Sequence, residues 1–472
     1  MDLGYSFYQH FHMPLGGDMA QIVMPSPTNG YYQVLHDPFG LNALLKHEVY
    51  SNPNRFFAHW STSVFLLNMP LFAQNFLSPI NSVYFSCALG KILTQILIIY
   101  LLAVYISNSR NILRFDFIVS AIIITPLFQT AGFNRYMGII DQSVIYTFFY
   151  ALPLGLLLLF FLPFFRAIYY DKILNNNIVF RILLALFIII LSLNGPLVPG
   201  VVLIVCPMVL LNLWWKNFKQ LGITPIYKRA LLSIRKIPNY LLYYFLGISI
   251  FSLYSLYIGQ YNTLNFDGSI SLAERYSRLP SGIYYLITTK LGFPLLLFMI
   301  GINLLIIVKH YKSEEGAKIM KLLKWISIFA GIYILLLPLG GYRGYRPNII
   351  RYDTIMPITI SLIFIYGMTT FYLIKNISKK YKSTYVIGII LLSLIYTISD
   401  NLDTRDFDCE KQALETMAQS SDKIVLLDGN CPIMEFRIVN DFEHSELKAG
   451  LFYHWNVTNE KKLFYQKEDD DK

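Results

Sequence analysis

The sequence predicts an all-α polytopic membrane protein, and three observations carry that reading. Apolar runs close to twenty residues long recur between about Ser82 and Ile398, the length a helix needs to cross a hydrocarbon core of about 30 Å. The 472 residues are 55% hydrophobic and only 14% charged, with a mean hydropathy of +0.47, whereas soluble domains carry roughly 25% charged residues. Basic residues, finally, gather in alternate loops between the apolar runs, which is the pattern that orients helices in a bilayer.

In chain order the expected parts are an arm over residues 1–82, a helical bundle over 83–399 and a small acidic tail over 400–472. The arm is polar, aromatic and turn-rich, and holds His10, His12, His36, His47 and His59, five of the eight histidines. Its segments near Met19–Met24 and Ser61–Leu77 read as helices lying at the membrane surface. Asn68, Pro70, Gln74 and Asn75 make the second a costly lone span. Ten spans are expected at 83–106, 115–133, 143–165, 179–194, 196–215, 239–258, 288–308, 323–340, 354–374 and 384–398. Their prolines are tolerated where neighbouring helices re-satisfy the freed backbone. The tail predicts a helix near Cys409–Met417, a strand over Lys423–Leu427 and a cap that a Cys409–Cys431 disulfide would staple. Cys87 and Cys206 lie in apolar spans and read as packing residues.

Charge then sets the expected orientation. One set of alternate loops holds 20 basic residues, from Arg110 to Lys382, and the opposite loops hold 7. The first set is expected in the cytoplasm of a cell with an inner membrane, with the arm and the tail outside. Residues 400–472 contain 17 acids against 9 bases, so the tail is anionic. Because the lysines and arginines are explained by orientation, nucleic-acid binding is not expected. Met1 is followed by an acid and aromatics, so no cleavable signal peptide is expected. An arm outside therefore needs an apolar span upstream of Met1; the alternative is that Ser61–Leu77 crosses and residues 1–60 lie inside.

The candidate site residues lie on the arm side. The outer basic residues are six arginines, among them Arg135, Arg343, Arg346 and Arg351, and one lysine. Arginine's planar fork suits phosphate oxygens, so these four would converge on a phosphorylated lipid head. The alternative is that they pair with Asp141, Asp267, Glu274 and Asp353 to hold loops together. Asp18 follows Gly16 and Gly17, and reads either as a general base toward a sugar hydroxyl or as a helix N-cap. His10 and His12 would present two imidazoles on one strand face, short of the three or four ligands of a zinc site. Lys91, inside the first span, is either functional or a snorkelling residue. Almost no other ionisable group falls within a span, and no internal repeat is visible. Both facts weigh against an ion-coupled transporter.

This layout resembles the GT-C superfamily of membrane glycosyltransferases. The stretch Tyr8-Gln-His-Phe-His-Met-Pro-Leu is similar to the Tyr-Gln-x-x-x-Pro-Phe pattern in the first loop of YfhO-like members. The resemblance implies transfer of a sugar from a polyprenyl-phosphate donor to a glycan or lipid acceptor at the outer face. It also implies catalytic acids at Asp2 and Asp18. The arm has no Asp-x-Asp pair, which weighs against a divalent metal, and no other cofactor is expected. A transporter or flippase of a lipid-linked glycan, and a non-catalytic membrane subunit, are the competing readings.

Overall fold

The computed structural model describes residues 2–128, 137–174, 177–221, 225–265, 270–310, 313–340, 346, 348–399 and 402–467. The arm forms five helices: α1 (Asp2–Phe11), α2 (Met19–Val23), α3 (Gly30–His36), α4 (Leu41–Lys46) and α5 (Phe56–Ala73). The bundle begins with α6 (Pro79–Ser107), whose first turn carries Pro79, where a missing N–H costs nothing. There follow α7 (Phe115–Ile124), α8 (Val144–Tyr169), α9 (Ile178–Ser192), α10 (Leu197–Gln220) and the amphipathic α11 (Ile226–Arg235). The chain continues through α12 (Asn239–Gly259), α13 (Leu272–Ser277), α14 (Leu279–Thr288), α15 (Gly292–His310), α16 (Glu314–Leu336), α17 (Met356–Asn376) and α18 (Lys379–Ile398).

Eight of these helices are long and apolar enough to cross a membrane: α6, α8, α10, α12, α15, α16, α17 and α18. The segments Phe115–Phe128 and Ile178–Ser192, also expected to span, are apolar but shorter. The protein is thus built as a multi-pass membrane protein. Most of α6 and α17 and over half of α8 is enclosed by protein, so these form the centre of the bundle, with the other five spans more exposed. A methyl group on Gly367 of α17 would collide with Ile106 of α6, and its absence lets these two helices approach. At the periphery, the buried Asn303 amide donates to Thr369 (3.0 Å) and Thr370 (2.9 Å) and accepts from Tyr385 (2.8 Å). One side chain thereby ties α15, α17 and α18, with its polar atoms satisfied inside an apolar medium.

The tail folds as α19 (Arg405–Gln419), β1 (Ile424–Leu427), α20 (Glu446–His454) and β2 (Leu463–Gln466), the strands pairing in parallel with Ile424 opposite Leu463. Cys409 and Cys431 are joined by a disulfide. The tail does not stand apart from the arm. Met19, Ile22 and Val23 of the arm, Tyr84 at the start of α6, and Leu414, Phe452 and Trp455 of the tail share one apolar core. Trp455 donates its indole N–H to the Leu66 carbonyl (2.8 Å), and the Gln74 amide donates to the Trp455 carbonyl (2.6 Å). At the centre of the joint Glu410 is wholly buried and accepts from the Leu15 amide (2.8 Å), the Met434 amide (2.8 Å) and the Tyr84 hydroxyl (3.0 Å). Arm and tail therefore pack into one body at one end of the bundle.

The same end carries the turn at Gly195, whose amide donates to the Asn54 carbonyl, and the segment after α12, where Asn262 bridges to Tyr50. The lysine-rich connectors lie at the other end, where Lys375 pairs with Asp116 and Lys318 with Asp171. The alternation of charge seen in the sequence thus corresponds to two opposite ends of the bundle. Helix α5 lies along α6 and buries Ala58, Thr62, Leu66, Pro70 and Ala73, a helical stripe, while Trp60, Val64 and Phe72 remain exposed.

Candidate functional site

The arm's polar turn is held tightly. A methyl group on Gly17 would come within 2.8 Å of the Glu435 carbonyl carbon and the Phe436 amide nitrogen, so only glycine lets the turn press on the tail loop. Asp18 follows at the N-cap position of α2, yet its side chain makes no capping hydrogen bond. Its carboxylate instead accepts from the Gln21 amide (2.7 Å) and from the Tyr146 hydroxyl (2.9 Å). Of the two readings of Asp18, the capping one is not what the side chain does.

Tyr146 opens a polar cluster at the arm end. It sits on α8 immediately before a π-helical turn, Thr147–Ala151, a local widening that is frequent at functional sites. Arg346 lies close enough to the Tyr146 hydroxyl to act on it electrostatically. Arg346 also approaches Asp353 at 3.9 Å, and Arg351 forms a closer ion pair with the same carboxylate. The Thr354 amide donates to Asp353 as well (2.9 Å). Burial pushes the Asp353 carboxyl above its ordinary range, and the Arg346 guanidinium opposes that rise.

Asp141 lies beside this pair. It accepts from the Ser143 amide (2.7 Å) and from the Tyr352 hydroxyl. Protein surrounding it pushes its carboxyl up to about 6, against the opposing effects of Tyr352, Ser143 and the Lys91 ammonium. Lys91 itself is buried and donates to the Gln142 carbonyl, so its ammonium ends on protein instead of water. Arg55 completes the wall, its guanidinium over Phe149 (4.8 Å) and Tyr150 (5.4 Å) and within electrostatic range of Asp353. Next to it His59 is fully buried.

Among the residues expected from sequence, Asp18, Arg346, Arg351, Asp353 and Lys91 therefore fall in or against one cluster. Arg135 and Arg343 lie outside the described residues. Asp2, His10 and His12 sit on α1 or just beyond its end, and no described hydrogen bond or ion pair joins them to Asp18. The Asp2 carboxyl has one buried oxygen with no hydrogen-bond partner among the described residues. His10 bonds to Gln95 of α6 (3.2 Å), and His12 bonds back to the Tyr8 carbonyl (2.8 Å). His10 lies in the last turn of a helix and His12 just past it, not on a strand, so their two-residue spacing turns them apart instead of onto one face. Among the described residues no group of three or more His, Cys, Asp or Glu side chains could hold a metal ion. Asp141, Tyr146, Tyr352, Arg55 and His59 enter the cluster without having been singled out as site residues. Asp141 had been seen only as a partner for arginine.

A cavity lies elsewhere in the bundle. It is an apolar cleft of about 590 Å³ between α6, α8, α10, α16 and α17. It runs from Val201, Leu154 and Pro357 near the arm end to Lys216, Lys318 and Lys321 at the opposite end. Along α10 that span is fifteen residues, about 22 Å at 1.5 Å per residue. Compared with known proteins, the sequence matches no family model and no curated protein.

Proposed function

We propose that the chain is a membrane glycosyltransferase that takes a sugar from a polyprenyl-phosphate donor and transfers it to an acceptor hydroxyl at the arm end of the bundle. The observation that carries this reading is the hydrogen bond from the Tyr146 hydroxyl to Asp18, with Arg346 within electrostatic range of that hydroxyl and Arg351, Asp353 and Asp141 behind it. A carboxylate and a guanidinium facing one small region supply the two charges that such a transfer needs. Asp18 accepts the proton of the acceptor hydroxyl as its oxygen attacks the sugar's anomeric carbon. The bond from that carbon to the phosphate oxygen breaks, the lipid phosphate leaves with the electron pair, and configuration inverts. Arg346 stabilises the charge gathering on the departing phosphate. Arg351, bound closely to Asp353, positions that carboxylate and through it Arg346.

The arm and tail are proposed to lie outside the cytoplasm, at the outer face of an inner membrane. The lysine-rich connectors at the opposite end support this orientation, as does the Cys409–Cys431 disulfide, a bond suited to an oxidising compartment. Release of polyprenyl phosphate from a sugar-charged donor, with the full chain in vesicles, tests the reaction. Asp18→Asn is expected to lower transfer by about 10²–10⁴-fold, the usual worth of a general base, with expression and folding unchanged. Full transfer in that variant removes Asp18 from the role.

A second reading, transport of a lipid-linked glycan, is favoured by one observation: the cleft traverses most of the bundle. Movement of a labelled lipid headgroup between leaflets, without release of its sugar, would favour transport over transfer.

A further inference from the structure

We infer that the cleft is a binding site for an anionic phospholipid, with one acyl chain along its apolar walls and the phosphate among the lysines at its mouth. The inference rests on neither functional reading above. The walls are leucine, phenylalanine and valine over about 22 Å, some two thirds of a hydrocarbon core of about 30 Å. A volume of about 590 Å³ accommodates roughly twenty heavy atoms at about 30 Å³ each. That is one chain, not two, so the second chain of a phospholipid stays with the bilayer.

The chemistry changes at one end only. Lys216 closes the cleft from α10, and Lys318 and Lys321 from α16, with Asp171 in the same lining and Glu315 within electrostatic range of the lining Tyr169. Lys318 reaches Asp171 at only 3.9 Å, and among the described residues Lys216 and Lys321 have no ion-pair partner. An apolar channel ending in three lysines against two carboxylates, Asp171 and Glu315, is complementary to an amphiphile with an anionic head. It is not complementary to a zwitterionic one, whose own cation would meet the lysines. Among the described residues that line the cleft, none at the opposite end, around Val201, Leu154 and Pro357, is charged, which sets the direction of the bound molecule.

Trp325 lines the cleft and supplies a reporter. The full chain in vesicles is exposed to phosphatidylglycerol or phosphatidylcholine carrying the same brominated acyl chains, and tryptophan quenching is read. The part of the signal lost in Trp325→Phe belongs to the cleft. Phosphatidylglycerol is expected to quench Trp325 at about fivefold lower mole fraction or better, the order of preference one interfacial lysine gives. The triple variant K216Q/K318Q/K321Q, altered only at exposed side chains, is expected to treat the two lipids alike. Val205→Phe, which narrows the channel, is expected to weaken quenching by both. Equal quenching by the two lipids in the unmodified chain, the mark of annular lipid only, overturns the proposal. So does a preference that survives in the triple variant. Relief of quenching by polyprenyl phosphate at lower concentration than by unbrominated phosphatidylglycerol would assign the cleft to that lipid and overturn the phospholipid.

Discussion

Asp141 shows how much of the candidate site depends on single side chains. Its carboxyl is raised to about 6 because protein surrounds it, while Tyr352 and Lys91 favour its ionised form. Below that pH the group is neutral and releases its hold on the Tyr352 hydroxyl and the Lys91 ammonium. Transfer is therefore expected to fall as the pH drops through about 6, and Asp141→Asn should remove that inflection from the rate profile. A profile unchanged by the substitution would separate Asp141 from the site. Arg346 offers a sharper comparison. Arg346→Lys keeps a charge but loses the planar fork, so donor binding should weaken, read as a higher KM, and Arg346→Ala should weaken it further. Sequence made part of this legible. Asp18 stands out because two glycines precede it, and Arg346, Arg351 and Asp353 fall within eight residues. Asp141, Tyr146 and Tyr352 do not, because their grouping is made by α8 packing against the segment before α17. A tyrosine among 35 carries no local mark of that.

Helices explain why the arm and tail form one body. The anchor is Glu410 on α19, where burial pushes the carboxyl up to about 7 from an ordinary 4.5, against three hydrogen-bond donors. The folded state thus favours the protonated form. Its contribution to stability is complete below about 4.5 and is lost as the pH rises through about 7. Thermal unfolding of the full chain should therefore show a Tm that falls over that interval. Glu410→Gln should flatten the trend and cost roughly 1–3 kcal/mol, since an amide N–H would face another donor. A Tm that keeps its slope in the variant would assign the dependence to another group. Elements were the most legible level of this chain. Ten apolar runs are plain in the sequence, and the tail's first helix and strand lie where its pattern predicts them. The mutual burial of arm and tail was not legible, because Met19, Ile22 and Val23 read equally well as the apolar face of a surface helix. Nothing local says that the apolar surface they face is protein instead of lipid.

At the scale of the whole molecule the decisive question is which end faces the cytoplasm. A membrane-impermeant maleimide applied to intact cells should label Thr28→Cys in the arm and spare Ala317→Cys at the lysine end, both positions being exposed. The reverse pattern would end the proposed outer-face chemistry. The native thiols interfere little, since Cys87 and Cys206 are buried and the other two are bonded. Reduction of the Cys409–Cys431 bond, whose partners are 22 residues apart, should cost the tail about 3 kcal/mol on the chain-entropy view. The joint between Leu15 and Glu410 has one more consequence, for biosynthesis. These partners are separated by 395 residues, so a ribosome adding about 5–20 residues per second needs roughly 20–80 s to deliver the second after the first. Throughout that interval the arm's apolar side chains have their partners on α5 and α6 but lack those on the tail, so part of their surface stays open to a holding chaperone or the insertion machinery until the tail is made.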